Sequence, residues 1–556
     1  MPISVGMAIP SAFSYLFSLL ALVIGKEPHC RCLYGQDCWP SSTDFNILSA
    51  QLTQPLLFPK PPALPCYVNE SQQKSLSDSE SCSDVIMQYT NGTWRADTPG
   101  AMQNTNFEAF IFSNGTVDAC YLDASLGFPC LQGSIPPIGV DARTVSDVQA
   151  AVKFAKRFNL RLVIKNTGHD YLGRSAGRGA FMLWTHYLKE MTYDASFTPL
   201  GASSENSHST FKAVTFGAGI QWAEAYAFVQ EHNQTVVGGI SLGGSVGAAG
   251  GWVMGGGHSA MSPSLGLGID NVIANAYRYP DLFWALRGGG GGTFGVVVSA
   301  TYQTHPISPV TMALMVANFS STSTAQLVAS RFLRFHILFV KPNTSNVEAE
   351  TAFGSFIEFT RNATDAQTLS IYQTYPGFLD WYQAIFGSRT GQVGSAVEIT
   401  SRLLPREIAL RDPDRAAKLM LSIDGGCTTN SVGGGAVADV DPLSTGLNPS
   451  WRASIAEVYS VETWPEGSSA ETILKARNRL KGKTDILDKF TTDSAAYLNE
   501  ASLHEIDFKK SFFGSHYEKL KAVKDIYDST SLFTVPLGVG SDDWDSELEC
   551  RLNTRQ

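Results

Sequence analysis

The 556-residue chain is poor in basic runs and in long apolar stretches, and it has no cysteine between Cys130 and Cys427. With 41 Lys+Arg against 51 Asp+Glu and a formal net charge of -10, it lacks the electrostatic footprint of a nucleic-acid or anionic-membrane binder. A small, weakly charged molecule is the expected partner. Nor is there a G-x-x-x-x-G-K-[ST] phosphate loop, and neither Gly217-Ala-Gly219 nor Gly266-Leu-Gly268 is continued into G-x-G-x-x-G. A nicotinamide dehydrogenase is therefore only the third-ranked reading. The apolar stretch Ala12 to Gly25 is short of the roughly 20 residues of a membrane span. It precedes Lys26-Glu27 and reads as the core of a signal peptide over residues 1–25, although its leading segment has no Lys or Arg and a signal anchor stays open.

What is present supports export. Seven of the nine cysteines (Cys30, Cys32, Cys38, Cys66, Cys82, Cys120 and Cys130) fall in the first 130 residues, where apolar periodicity is weak, so they read as disulfide staples of a segment 26–135. Cys550 is the expected eighth partner, which leaves Cys427 as a small buried apolar residue. Sequons at Asn69, Asn91, Asn114, Asn233, Asn318, Asn343 and Asn362 suit a secreted chain carrying N-glycans.

Beyond Pro136 the pattern becomes regular. Ser146 is placed to cap a helix with Val148, Ala151, Val152 and Ala155 on one face, strand Leu160 to Ile164 follows, and the pair recurs as strand Ala213 to Phe216 and helix Gln221 to Glu231. A β-branched strand over Thr293 to Thr304 closes an α+β domain at 136–308. Residues 309–483 form a second α+β unit, a sheet covered by helices, with a helix over Ala325 to Val340 and strands near Ala396 to Leu403 and Ala453 to Val461. A third segment, 484–556, holds a helix over Tyr517 to Tyr527.

Two segments carry chemistry. Ten of the twenty positions from Gly238 to Gly257 are glycine, which rules out an ordinary strand or helix interior and calls for backbone in close approach to a large group. Val246, Ala248, Trp252 and Met254 within it argue against a solvated linker. The other segment runs from apolar Leu162-Val163-Ile164 into Asn166-Thr167-Gly168-His169-Asp170-Tyr171-Leu172-Gly173-Arg174-Ser175, a turn that offers bare amides and a histidine to a phosphate-bearing cofactor.

That block closely resembles the flavin-attachment segment of the vanillyl-alcohol oxidase / p-cresol methylhydroxylase flavoproteins, in their berberine-bridge-enzyme-like branch of secreted fungal type. Resemblance runs from about Cys30 to about Trp544 and includes Ser401-Arg402-Leu403-Leu404-Pro405, Asn448-Pro449-Ser450-Trp451-Arg452 and Ala496-Tyr497-Leu498-Asn499-Glu500. It implies a p-cresol-methylhydroxylase-type FAD-binding domain, FAD on His169 through its 8α-methyl group, and oxidation of an alcohol-type or related substrate with O2 as acceptor, in a secondary-metabolic setting. The cofactor set it implies is His169, Asn166, Thr167, Gly168, Asp170, Gly173 and Ser175, with Gly244, Ser245, Val246 and Gly247 on the phosphate side, Gly255, Gly256, Gly257 and His258 nearby, and Asn499 beside the ring. Gly243 stands where some relatives have a second attachment cysteine, so the link is expected to be single. No metal is expected.

Oxidation of a carbinol also needs a base, because hydride loss develops positive charge that loss of the hydroxyl proton relieves. Tyr497 is the first candidate, placed with Asn499 on one face of a strand by their two-residue spacing, and Glu398 the second. The resemblance also implies about fifteen further residues, a strand-turn-strand, where Asp270-Asn271-Val272-Ile273 here runs directly into Ala274-Asn275. Their loss leads to the expectation of buried amides without partners, and to a competing reading: a flavin-free, catalytically silent secreted glycoprotein.

Overall fold

The computed structural model describes residues 30–67, 81–200, 210–273, 277–319, 321–335, 340–363, 367–387, 393–490, 493 and 495–552. The expected signal segment and Asn69 lie outside these residues.

The first sheet takes its strands from two expected segments. Leu56–Leu57 (β1) pairs antiparallel with Ile138–Asp141 (β2), and Leu162–Lys165 (β3) and Phe181–Trp184 (β4) extend the sheet in parallel, in the order β1-β2-β4-β3. The parallel strands β2, β3 and β4 are almost wholly buried, as parallel strands covered on both faces must be. The crossover helix Val145–Arg157 (α1) packs Val148, Ala151, Phe154 and Ala155 inward, against Phe45 and Phe181. Its cap is Thr144 and not Ser146. Thr144 Oγ1 accepts from the Asp147 amide while Asp147 accepts from the Thr144 amide, a reciprocal box that only the residue three before Asp147 can close. Asp147 also receives Thr53 N and Oγ1, tying the first segment to the helix start.

The second sheet is antiparallel: Met191–Phe197 (β5), Phe211–Gly217 (β6) and Ser299–Gln303 (β7), in the order β7-β6-β5. The strand expected over Thr293 to Thr304 shrinks to β7 because the glycine-rich run before it turns instead of extending, with Gly288, Gly290 and Gly292 at positive φ. The free edge of β7 is paired after all. Val272 bridges Tyr302, Ile273 N donates to Thr301 O, and Gln303 N donates to Asn271 O. The expected loss of amide partners beside Ile273 is thus not found on its described side; residues 274–276 lie outside the described ones. Helix α2 (Trp222–Glu231) buries Trp222, Ala225, Tyr226 and Val229 as its periodicity predicts.

In the second unit, Val310–Asn318 (β8), Val340–Pro342 (β9) and Gln367–Tyr375 (β10) make one antiparallel sheet, and Ala396–Pro405 (β11), Thr428–Asn430 (β12) and Ser454–Trp464 (β13) make another in the order β11-β13-β12. The helix expected to reach Val340 spans Thr322–Phe335, and Val340 belongs to β9. Ala470–Leu487 lies across β11 and β13, and Tyr517–Tyr527 forms as expected. The largest core joins Val214, Trp222, Met254, Phe378, Trp451 and Tyr497, so three of the four expected units, 136–308, 309–483 and 484–556, share it. No described helix is long and apolar enough to cross a membrane.

Four disulfides pin the ends: Cys32–Cys38, Cys66–Cys82, Cys120–Cys130 and Cys30–Cys550. Cys427 is unpaired, and burial pushes its thiol up to about 11, where it is unreactive. Because Cys30–Cys550 joins residues 520 apart, the double variant Cys30→Ala/Cys550→Ala should lose about 2–4 kcal/mol in a denaturant titration; an unchanged midpoint would show that the closure adds nothing.

Candidate functional site

β3 ends at Lys165, and the chain then turns through Asn166 to Gly173, with Gly168 and Gly173 at φ +79° and +73°. The backbone of this turn is held from outside: Gln103 N donates to Gly168 O, Gln103 Nε2 to Thr167 O and Trp184 Nε1 to Asn166 O. The glycine-rich loop runs alongside. A Cβ on Gly247 would stand 2.5 Å from Asn166 Nδ2, which itself donates to Ala218 O at 2.5 Å, so this approach requires the bare backbone.

Between the two lies a narrow cleft. Asn166, Thr167, Gly168, His169, Asp170 and Ser175 line one side, Val246 and Gly247 the other. Gly250, Gly251 and Trp252 also line it, together with Gly291, Gly292 and Gly295, and Val535 from the C-terminal segment. The second glycine run lies within Asp281 to Val298, a stretch that also carries the family resemblance, and its Gly290-x-Gly292-x-x-Gly295 completes the dinucleotide spacing. It precedes β7 instead of opening a helix, and that context removes the dinucleotide meaning. Of the expected cofactor residues, Gly173, Gly244, Ser245, Gly255, Gly256, Gly257, His258 and Asn499 do not line the cleft. Ser245 supports it from behind, its Oγ 2.7 Å from His169 Nε2. Asn499 stands behind the wall, donating to Gly251 O, Trp252 O and Tyr497 Oη.

Two buried polar atoms of residues lining the cleft have no protein partner, Asn166 Oδ1 and Arg174 Nη1. Leaving such a group unmatched costs about 1–3 kcal/mol, more when it is charged. Both atoms are available to a polar cofactor in the cleft, and the residues present fit FAD. His169 lines both this cleft and the neighbouring cavity. Burial lowers its pKa to about 4, so its imidazole is neutral at neutral pH.

The neighbouring cavity, of about 710 Å³, lies against the β11-β13-β12 sheet. Ile240, Trp381, Phe386, Val393, Val397 and Ile399 give it apolar walls, and none of the described residues lining it is Lys or Arg. At one side His258 Nε2 lies 3.1 Å from Glu500 Oε1 and 3.3 Å from Glu457 Oε2. Burial alone would lower the His258 pKa, but the two carboxylates outweigh it and push it up to about 10. Glu457, fully buried on β13, is pushed up to about 7 by burial and then by Glu500, with His258 opposing. The three ligand atoms lie within 4.8 Å of one another, close enough for a divalent cation, yet the hydrogen bonds among them already account for the arrangement.

The base candidates are placed elsewhere. Glu398 points away from Val397 and Ile399 on β11; it accepts from Arg477 Nε at 2.9 Å and lies 3.5 Å from His504. Burial raises its pKa, but His504 and Arg477 more than offset this and hold it below the usual carboxylate range, so it is a structural anion. Tyr497 caps a short 3₁₀ turn, Leu498–Glu500, and not a strand. Its ring is a wall behind the cavity, 4.9 Å from His258 and 5.4 Å from Trp451, and burial together with Glu500 pushes its phenol upward and keeps it protonated. Sequence reasoning missed Glu457 and Glu500. The available signal was an acid in the apolar strand Ser454–Trp464, at a position that shares a face with Tyr459 and Val461.

The family profile described as FAD binding domain matches residues 136–276, and that described as berberine and berberine like matches residues 496–540. The chain is 34% identical over 592 aligned positions to the FAD-linked oxidoreductase asqF of Emericella nidulans, covering 98% of each, and 31% identical to the FAD-linked oxidoreductase patO of Aspergillus clavatus, covering 94% of each. The alignment with asqF is longer than this chain, so that relative carries residues absent here. Among solved structures, the VAO-type flavoprotein MtVAO615 of Myceliophthora thermophila C1 superposes with a TM-score of 0.82 at 28% identity, covering 94% of this chain and all of its own. Berberine bridge enzyme from Eschscholzia californica shares the fold at a TM-score of 0.62 and 16% identity, over 89% of this chain and 98% of its own.

Gly247→Val should drive the Asn166 amide from the cleft and lower the fraction of protein carrying flavin roughly tenfold, the equivalent of about 1.4 kcal/mol. The ratio of flavin to protein absorbance reads this, with an unchanged far-ultraviolet spectrum confirming the fold.

Proposed function

Because the chain belongs to the berberine-bridge-like FAD-linked oxidoreductases of the vanillyl-alcohol oxidase group, we propose that it withdraws two electrons from an alcohol-type or related small organic substrate, with FAD attached singly at His169, and passes them to O2 to give H2O2 outside the cell. The observation that carries this reading is the junction at His169, where a cleft with unmatched polar atoms borders a cavity of mixed apolar and polar lining that holds its own proton-accepting groups. Bound FAD supplies a two-electron acceptor.

This chain's residues do the rest. The cavity's apolar residues pack against the substrate's carbon frame and its Ser, Thr and Asn side chains offer hydrogen bonds, and the lack of Lys or Arg among the described lining residues disfavours anions. Glu500, which lines the cavity, takes the hydroxyl proton, and His258 spans the gap to Glu457, so the three groups hold that proton as one unit. Tyr497 and Trp451 keep the His258 ring in place from behind. Neutral His169, held by Ser245, is ready to bond to the cofactor. The alternative of a silent, flavin-free glycoprotein is disfavoured by the pairing of Asn271–Ile273 with β7 and by the unmatched Asn166 and Arg174 atoms. Four disulfides suit an oxidising compartment.

Acid-precipitated protein should remain yellow and yield one flavin adduct on the peptide that contains His169; flavin recovered entirely in the supernatant would remove the covalent claim. Glu500→Gln should lower kcat by about 10²–10⁴-fold. Since the accepting carboxylates must be ionised while His258 keeps its proton, kcat/KM should rise with pH through the Glu457 ionisation, about 7, and then level off. Glu457→Gln should abolish that limb, and a parent-like profile in this variant would show that the cluster does not take the proton.

A further inference from the structure

Arg174 is the only cation, and Asp170 the only acid, among the described residues lining the cleft. Its guanidinium is fixed from two sides. Nε donates to Asp170 Oδ1 at 2.7 Å and Nη2 to Asn499 Oδ1 at 3.1 Å, while the Arg174 amide donates to Asp170 Oδ2. Nη1 is buried with no protein acceptor, and the side chain is only 10% exposed. A charged donor is thus oriented by two of its nitrogens and left with the third for something in the cleft.

Its position marks the reactive end of that cleft. Asp170 follows His169, which lines both cleft and cavity, and Asn499 precedes Glu500, which lines the cavity. Asn499 in turn donates to Tyr497 Oη, whose ring meets His258. Arg174 therefore bridges the turn that presents the histidine and the segment that presents the cavity's carboxylate.

We propose that Arg174, clasped between Asp170 and Asn499, tunes the redox potential of the FAD by favouring the more negatively charged reduced cofactor. The proposal rests on FAD occupying the cleft. A fixed cation in a site of low dielectric stabilises charge that develops next to it, without reorganisation at that moment. Asp170 tempers the effect and holds the geometry, so the two partners carry opposite electrostatic weights within a single clasp. A clasp that only fixed the turn would respond in one direction to the loss of either partner.

The test is a dye-equilibrium titration of the midpoint potential of the flavin-loaded full chain and its variants. Arg174→Gln removes the cation and leaves Asp170 unmatched, so the reduced form should become at least tenfold less favoured, about 30 mV lower for a two-electron couple. Asp170→Asn should move the potential upward, and Arg174→Lys should stay near the parent. Should Arg174→Gln fail to load flavin, the raised potential of Asp170→Asn and the parent-like potential of Arg174→Lys carry the proposal, and a value for Asp170→Asn at or below the parent overturns it. Lowered flavin content in both variants with no split in potential would make Arg174 a turn-holding or phosphate-binding residue and overturn the tuning role alone. A parent chain that holds no flavin would instead overturn the cofactor reading, and this inference with it.

Discussion

One polar clasp makes the site possible: Asp170 to Arg174 to Asn499, closed across 325 residues of sequence. On one side lies a tight turn after a parallel strand, and on the other a single 3₁₀ turn near the C-terminus. Leu172 of the turn packs in one apolar cluster with Ala496, Leu498 and Ala501 of that segment. A buried ion pair and the amide that completes it then fix their alignment, within a shell where unmatched charge is expensive. The remaining closures act in the same direction: Cys30–Cys550, the strand β1 added to the first sheet, and Val535 reaching the cleft wall. Although the sequence divides into segments, the largest core and the cleft wall draw on more than one of them.

The cavity shows what that interior does to charge. His258, Glu457 and Glu500 would titrate ordinarily in water. Enclosed beside apolar walls, the histidine is driven up by its carboxylates, and Glu457 is driven up by burial and by Glu500. His169 moves the other way because no anion compensates its burial. Two histidines close to the same cavity are therefore in opposite protonation states at neutral pH, one suited to bonding a cofactor and the other to bridging carboxylates.

Much of the site was legible where its causes are local. Turn chemistry marked Asn166 to Ser175, since glycines at positive φ and a histidine after an apolar strand read directly from the sequence. Glycine density marked the loop that passes Asn166. Errors arose where a local rule met a competing partner. Thr144 displaced Ser146 as cap because Asp147 closes the box three residues away. Two-residue spacing placed Tyr497 and Asn499 together, and they do meet at 2.9 Å. But the segment is a 3₁₀ turn and not a strand, and the same turn swings Glu500 into the cavity.

By itself the sequence determined the family, the α+β class, the histidine-bearing turn and the staples of the first segment, because each is written in residues near one another or in a single type at high density. Only the tertiary structure decided which carboxylates face the cavity. Glu398 and Glu457 both sit on buried strands of one sheet, and both are almost completely enclosed. Glu398 is met by Arg477 and His504 and becomes a fixed anion, whereas Glu457 is met by His258 and a second carboxylate and is held near neutrality. That difference arises from charges brought from distant parts of the chain, and no local pattern around either glutamate encodes it.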